Sequence, residues 1–277
     1  MRTATSNQEI VVTSADGTSI SATVSGAGPA IVLIAAALSS RSDTKRLAAR
    51  LAEAFTVVNY DRRGRGLSAG TRPYAVTREI DDIEALVDRV GGRAALFGSS
   101  SGAVLALDAA ESLGARVSSL VLFEPPFILD ASRPPVGPDF TAQLEGLLRA
   151  GDHDGAVRLF FTEALGMPRA MVAMMRLLPG WRKMAAMAPT LRHDLAVMGD
   201  TQLGRPLPAQ RWSNVSQPAL VVTGEKSEAF FHESADALVA LLPDARHDRL
   251  AKANHSAVVA SPKRVAELIQ AFVMPSG

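Results

Sequence analysis

The sequence predicts a mostly parallel β-sheet with helices on both faces, interrupted by an inserted helical segment. Three observations carry that expectation. Short continuous apolar runs, of the kind found in strands buried on both faces, alternate with segments of helical period. They follow one another at the pace of repeated strand–helix units. The alternation stops at Glu124 and resumes at Ala219.

The elements follow in order. Two β-rich runs, 9–14 and 18–25, flank Ala15-Asp16-Gly17 and predict a hairpin, with the glycine free to take positive φ. The apolar run 30–36 predicts a buried strand, and 44–54 a helix with Leu47, Leu51 and Phe55 at spacing four. A second buried strand is expected over 56–61, followed by a glycine-rich loop over 62–70. Residues 77–90 are amphipathic, their stripe formed by Ile80, Ile83, Leu86, Val87 and Val90. A strand over 93–98, a helix over 101–113 and a strand over 117–124 complete the first half. From 125 to 208 the periodicity is helical: 140–150, 154–165, 169–178 and 184–198. The second half resumes with strand 219–223, helix 230–242, strand 245–250 and helix 262–272. The expected organisation is therefore a core of residues 1–124 and 209–277 with a helical cap over 125–208.

Composition narrows the function classes. Of 277 residues, 47% are hydrophobic and 21% charged, which suits a large core rather than disorder. With 29 Lys+Arg against 28 Asp+Glu, the net charge of +1 predicts no general attraction to nucleic acid or to an anionic membrane. The absence of cysteine excludes disulfides, cysteine-held metals and a thiol nucleophile. No run approaches the ~18 apolar residues of a membrane span. The polar first ten residues lack the apolar run of a signal peptide, so a cytoplasmic location is expected. Seven of the nine methionines, from Met167 to Met198, fall in the insertion. They are expected either to line an adaptable apolar pocket or simply to pack the cap.

Gly98-Ser99-Ser100-Ser101-Gly102 fits G-x-S-x-G, with a buried strand before it and a small-residue helix after it. A nucleophile elbow needs that context: the central serine is held in a strained turn, its Oγ at a helix N-terminus where negative charge is favoured. The plainer reading is a serine acting as an ordinary N-cap. Gly64-x-Gly66 lacks the third glycine and the immediate helix of a dinucleotide loop, and no P-loop, H-E-x-x-H or metal-ligand cluster occurs. No cofactor and no metal are expected.

Across nearly its whole length the chain resembles the α/β-hydrolase superfamily. The resemblance rests on the hairpin, the segment Tyr60-Asp61-Arg62-Arg63-Gly64-Arg65-Gly66-Leu67-Ser68, the elbow and a late histidine. It implies the order serine, acid, histidine. His255, in a loop between the last expected strand and helix, is then the base. His153, His193, His232 and His247 lie in the cap, a helix or a strand. The resemblance leaves the acid open. Relatives often carry G-x-x-D after the seventh strand; here the stretch is Gly224-Glu225-Lys226-Ser227, with Glu225 and Glu228 close by. The other candidate, Glu124, ends an apolar strand, where a carboxylate needs a partner. Pro125 is expected to restrain it to extended geometry; pairing with an arginine near the cap is its plainer reading. The oxyanion hole is expected from the backbone N–H groups of Ser101 and Ala37, with Leu38 as an alternative to Ala37.

The implied function is a serine hydrolase that cleaves an ester, thioester or lactone of a small to medium hydrophobic substrate through an acyl-Ser100 intermediate. Two alternatives remain on the same fold. One is a non-hydrolytic enzyme such as an acyltransferase, perhydrolase or cofactor-free cyclase; the other is a non-catalytic ligand receptor.

Overall fold

The apolar runs become strands because both of their faces are covered. A computed structural model describes residues 7–130 and 133–274. Of the expected core, residues 1–6 and 275–277 lie outside the described residues, as do 131–132 of the insertion. The first half comprises β1 (Gln8–Thr13), β2 (Ser19–Ser25), β3 (Ala30–Ile34), α1 (Arg41–Leu51), β4 (Thr56–Tyr60), α2 (Val76–Arg89), β5 (Ala94–Ser99), α3 (Ser101–Leu113) and β6 (Val117–Phe123). The insertion carries α4 (Phe140–Arg149), α5 (His153–Leu159), a π-helical turn at Phe160–Ala164, α6 (Arg169–Met175), α7 (Gly180–Met187) and α8 (Leu191–Met198). The second half adds β7 (Ala219–Gly224), α9 (Ala229–Leu241), β8 (Ala245–Leu250), α10 (Ala257–Ala260) and α11 (Pro262–Val273).

Among the described residues the strands form one sheet in the order β1-β2-β4-β3-β5-β6-β7-β8. β1 and β2 pair antiparallel, as do β2 and β4; every pairing from β4 onward is parallel. The two-residue period divides the core. Val32, Ile34 and Leu96 pack with Ile83, Leu86 and Val104 on one face. Ile31, Leu33 and Phe97 pack with Leu47, Leu51 and Ile269 on the other.

The helices depart from expectation at their ends. α1 starts at Arg41, ahead of the expected 44, because the Asp43 carboxylate accepts the Ser40 N–H at 2.8 Å. The helix expected over 154–165 loosens into the π turn at Phe160. The helix expected over 184–198 divides at a short 3₁₀ turn, Ala188–Thr190, where Pro189 has no N–H to donate. α10, directly after His255, was not expected.

Buried charge ties the insertion to the core. Arg62, Arg65, Glu79 and Asp194 are each at most 2% exposed. Arg62 makes a two-point contact with Glu79 at 2.8 and 2.9 Å and reaches Asp194 Oδ1 at 2.8 Å. Arg65 reaches Asp194 Oδ2 at 2.6 Å. Two cations and two anions thus close on one another away from water. Burial pushes the Asp194 carboxyl up, but Arg65 and Arg62 outweigh it and hold the group below the ordinary carboxylate range. Asp61 braces the same loop, accepting from Arg41 N–H and Leu67 N–H, both at 3.0 Å. A Cβ at Gly66 would stand 2.3 Å from that carboxylate, so the glycine serves packing around Asp61.

Tyr74 extends the cluster, donating to Glu79 at 2.7 Å, and His193 stacks on its ring with centroids 3.9 Å apart. Burial pushes the His193 imidazole down from 6.5 to about 4, against the opposing pull of Glu79 and Asp194. Between those two values the unfolded chain binds a proton that the folded chain does not, so His193 makes stability fall as pH drops through that window. Urea unfolding at pH 7 and pH 5 is expected to show this loss, and His193→Phe, which keeps the stack without titrating, to reduce it. An equal loss in both proteins would remove His193 as its source.

Candidate active site

Strand register brings the candidate side chains together. Ser99 lies opposite Phe123, and Phe123 opposite Val222, so Ser100, Glu124 and Thr223 follow side by side at the carboxyl edge of β5, β6 and β7. The ladder runs one step past the strand ends: Ser100 N–H donates to Phe123 O at 2.8 Å and Glu124 N–H to Val222 O at 2.9 Å.

Ser100 turns there with φ 55° and ψ −123°, a conformation that costs roughly 1–3 kcal/mol in a residue with a side chain. Two close approaches hold it. A Cβ on Gly98 would stand 2.3 Å from Gly102 O, and one on Gly102 2.4 Å from Ile34 O. Ser100 occupies the N-cap position of α3, yet its hydroxyl makes no capping hydrogen bond. Its role as a simple helix cap is therefore absent.

Glu124 is fully buried at φ 49°, which corrects the expectation that Pro125 keeps it extended. The proline ring acts mainly on the ψ of the residue before it, so it does not prevent the left-handed φ. The carboxylate holds three groups. Oε1 accepts from Gly224 N–H at 2.6 Å and from Ser227 Oγ at 2.5 Å, and Oε2 lies 2.6 Å from His255 Nδ1. No arginine pairs with it among the described residues. A carboxylate only accepts, so Nδ1 is the donor of this bond and Nε2 is the ring nitrogen turned away from it. Phe231 stacks on that ring with centroids 4.7 Å apart. Gly224 is required for the approach of the histidine loop: a Cβ there would stand 2.6 Å from the Ala253 backbone.

Ser100 and His255 line one cavity of about 230 Å³ with Ala37, Phe160, Phe161 and Met184. No hydrogen bond joins Ser100 Oγ to the histidine ring among the described residues. The backbone N–H groups of Ala37, Leu38 and Ser101 likewise meet no protein acceptor among the described residues. Of the insertion's methionines only Met184 reaches the cavity; Met171 and Met174 are exposed, and Met187 and Met198 are buried in packing.

The matching family model, described as the alpha/beta hydrolase family, spans residues 26–268. The chain belongs to the alpha/beta hydrolase family. An alpha/beta hydrolase from Sphaerobacter thermophilus DSM 20745 is 44% identical over 95% of this chain and 99% of that one, with a TM-score of 0.88. A hydrolase from Pseudomonas aeruginosa PA01, 22% identical over 96% and 98% of the two chains, shares the fold with a TM-score of 0.73. The uncharacterized hydrolase YraK of Bacillus subtilis (strain 168) is 34% identical over 113 residues, 39% of this chain and 42% of that protein. The match thus spans less than half the length of this curated relative.

In this alpha/beta hydrolase the other expected acids stand away from the histidine ring. Glu225 accepts Lys252 N–H at 2.7 Å, and Glu228 is an exposed side chain 3.9 Å from Arg133. His232 and His247 are joined to each other through Thr223 Oγ1, at 2.9 and 2.8 Å. Sequence reasoning noted Ser227 only as a missing aspartate and did not anticipate its bond to Glu124. It missed Phe231, for which an aromatic in the helix after β7 was the available signal. Asp194 was missed with no local signal at all. Among the described residues no group of three His, Asp or Glu side chains is arranged to hold a metal ion, and no helix is long and apolar enough to cross a membrane.

Ser227→Ala would leave the buried Oε1 of Glu124 with one donor. Urea unfolding is expected to show a loss of about 1–3 kcal/mol, the range for a buried charged acceptor deprived of a partner. A change within error would mean that Ser227 contributes nothing to holding the carboxylate.

Proposed function

We propose that the protein is a serine hydrolase acting on an ester, thioester or lactone of a small, mostly apolar substrate. The observation that carries this reading is the His255–Glu124 contact. It fixes the imidazole with its acceptor nitrogen free, in the same cavity as a serine whose hydroxyl the elbow keeps from helix capping. Ser100 Oγ attacks the carbonyl carbon as His255 Nε2 takes its proton, and Glu124 holds the resulting imidazolium in place. The oxyanion accepts from Ser101 and Ala37 N–H, with Leu38 N–H as the alternative to the latter. The imidazolium then returns its proton to the leaving oxygen or sulfur. Water, deprotonated by the same histidine, breaks the acyl-serine bond and regenerates Ser100.

The cavity supports the substrate class. A void of ~150 Å³ holds a benzene ring, so about 230 Å³ takes a ring with a few further atoms. Phe160, Phe161, Leu165, Met184 and Val258 give it an apolar lining, and the helical insertion acts as the cap that closes it. Aryl acetates and butyrates are expected to be cleaved with higher kcat/KM than the decanoate, and Phe161→Ala to move the optimum toward longer chains. Equal rates along the series would mean that this cavity does not hold the acyl group.

The decisive experiment combines fluorophosphonate labelling with aryl-ester turnover. Ser100→Ala and His255→Ala are expected to lose both. Glu124→Gln is expected to lower kcat on the order of 10⁴-fold, as when the residue orienting a catalytic histidine loses its charge. Glu225→Gln and Glu228→Gln should stay near wild type. Wild-type protein that neither labels nor turns over any ester would overturn the reading; labelling without turnover would favour an acyltransferase or a receptor.

A further inference from the structure

Resting on the serine-hydrolase reading, we propose that Asp194 of the insertion is a positioning residue for the oxyanion hole, joining the seating of the cap to the assembly of the hole. The hole's two sides come from separate parts of the core, Ser101 at the start of α3 and the loop after β3. Asp194 holds both.

On the first side, Asp194 Oδ1 accepts from Ser101 Oγ at 2.7 Å. That bond fixes the side chain of the residue whose N–H is the proposed donor. The carbonyl of the peptide unit bearing that N–H, Ser100 O, is bound by Ala103 N–H at 2.9 Å. On the second side the hold passes through the two arginines. Arg65, gripped by Asp194 Oδ2, donates to Ala36 O at 2.7 Å and to Ser39 O at 3.2 Å. Arg62, gripped by Oδ1, donates to Ala35 O at 3.3 Å.

The Ala36 contact decides the direction of the donor. Ala36 C=O and Ala37 N–H belong to one planar trans peptide, so they point to opposite sides. Holding the carbonyl against Arg65 therefore aims the N–H away from it. A flip of that peptide would break the Arg65 bond and take the donor out of the hole.

A second contact ties the same loop to the cap. Leu38, at φ 53°, is buried among insertion residues including Leu144, Trp181 and Leu191. The loop that supplies the second donor thus packs against the cap as well as being held by Asp194. With Arg62 and Arg65 both fully buried, removing the charge of Asp194 leaves an excess cation whose nearest acceptors are the carbonyls of this loop.

The test compares wild type, Asp194→Asn, Ser101→Ala and, as a control on an exposed carboxylate of the insertion, Asp200→Asn. For aryl-ester hydrolysis Asp194→Asn is expected to lower kcat about 10- to 100-fold with KM within twofold, less than the 10²–10³ of deleting a hole donor outright. Affinity for a trifluoromethyl ketone that forms a hemiketal with Ser100 should fall by a similar factor. Affinity for the unreactive parent alcohol should stay the same. Ser101→Ala, which deletes a single arm, is expected to show the same pattern at about fivefold, and Asp200→Asn no change.

Wild-type-like kcat and ketone affinity in folded Asp194→Asn would overturn the inference, as would a change confined to KM and alcohol binding. If Asp194→Asn does not fold, Ser101→Ala decides: a selective loss in kcat and ketone affinity supports the inference, and its absence overturns it. Inactive, unlabelled wild type would instead overturn the serine-hydrolase reading on which the inference rests.

Discussion

Four charges without access to water, on Arg62, Arg65, Glu79 and Asp194, lie beneath the loop after β3 and beside the start of α3. Burying an ion costs several kcal/mol even after relaxation, and breaking a buried pair typically costs about 3–5 kcal/mol because the remaining charge has no partner. Such a cluster is tolerable only with its geometry closed. Closing it requires the loop after β4 to bring two arginines inward, α2 to supply Glu79 and the insertion to supply Asp194. The insertion therefore cannot sit anywhere on the sheet: its carboxylate is the counter-charge the core lacks. The same cluster touches the loop after β3, through Ala35 O, Ala36 O and Ser39 O, and the start of α3, through Ser101 Oγ.

Backbone strain collects at strand ends. The non-glycine residues at positive φ among the described residues are Leu38, Ser100, Glu124 and Lys252. Each follows the carboxyl end of a strand, β3, β5, β6 and β8 respectively; the segments after β3, β5 and β8 line one cavity, and Glu124 meets it through His255. Strain of ~1–3 kcal/mol per residue persists only where surrounding contacts over-determine it. Those contacts are visible: the glycine approaches around Ser100, three groups on the Glu124 carboxylate, and the insertion's apolar cluster around Leu38. Rigid strands thus set positions to within a hydrogen bond, and strained turns aim side chains from them.

Much of this is legible in the sequence because it is local. The alternation of buried strands with helices follows from apolar periodicity, and the elbow follows from two glycines, a serine and their flanks. Helix ends are less legible: a carboxylate at Asp43 extended α1, and one proline divided the helix before α8. Asp194 marks where local reading stops. It lies 93 residues from the Ser101 side chain it binds, and as a helical carboxylate of the insertion it resembles Glu145, which stays nearer the surface. Which insertion carboxylate enters the core is decided by how the helices dock, and no pattern in the chain encodes that directly. Glu79 is a milder case, since a carboxylate beside the apolar stripe of α2 already signals a buried cation nearby.

The placement of the carboxylate beside His255 has its own physical logic. β6 and β7 are adjacent, so a carboxylate reaching His255 can be offered from the end of either one. Were both Glu124 and an aspartate at 227 present, two like charges would meet at a fully buried carboxylate, and each would favour the protonated form of the other. The chain avoids that conflict. With glutamate on β6, position 227 carries a hydroxyl, which donates to Glu124 Oε1 where a carboxylate would repel it. Gly224 adds its N–H to the same oxygen and, lacking a side chain, lets the 253–255 segment come close enough for the imidazole to reach the other. Ser227 and Gly224 are therefore the complement of Glu124. A glutamate on β6 with aspartate retained at 227 would be the less stable arrangement of the two strands.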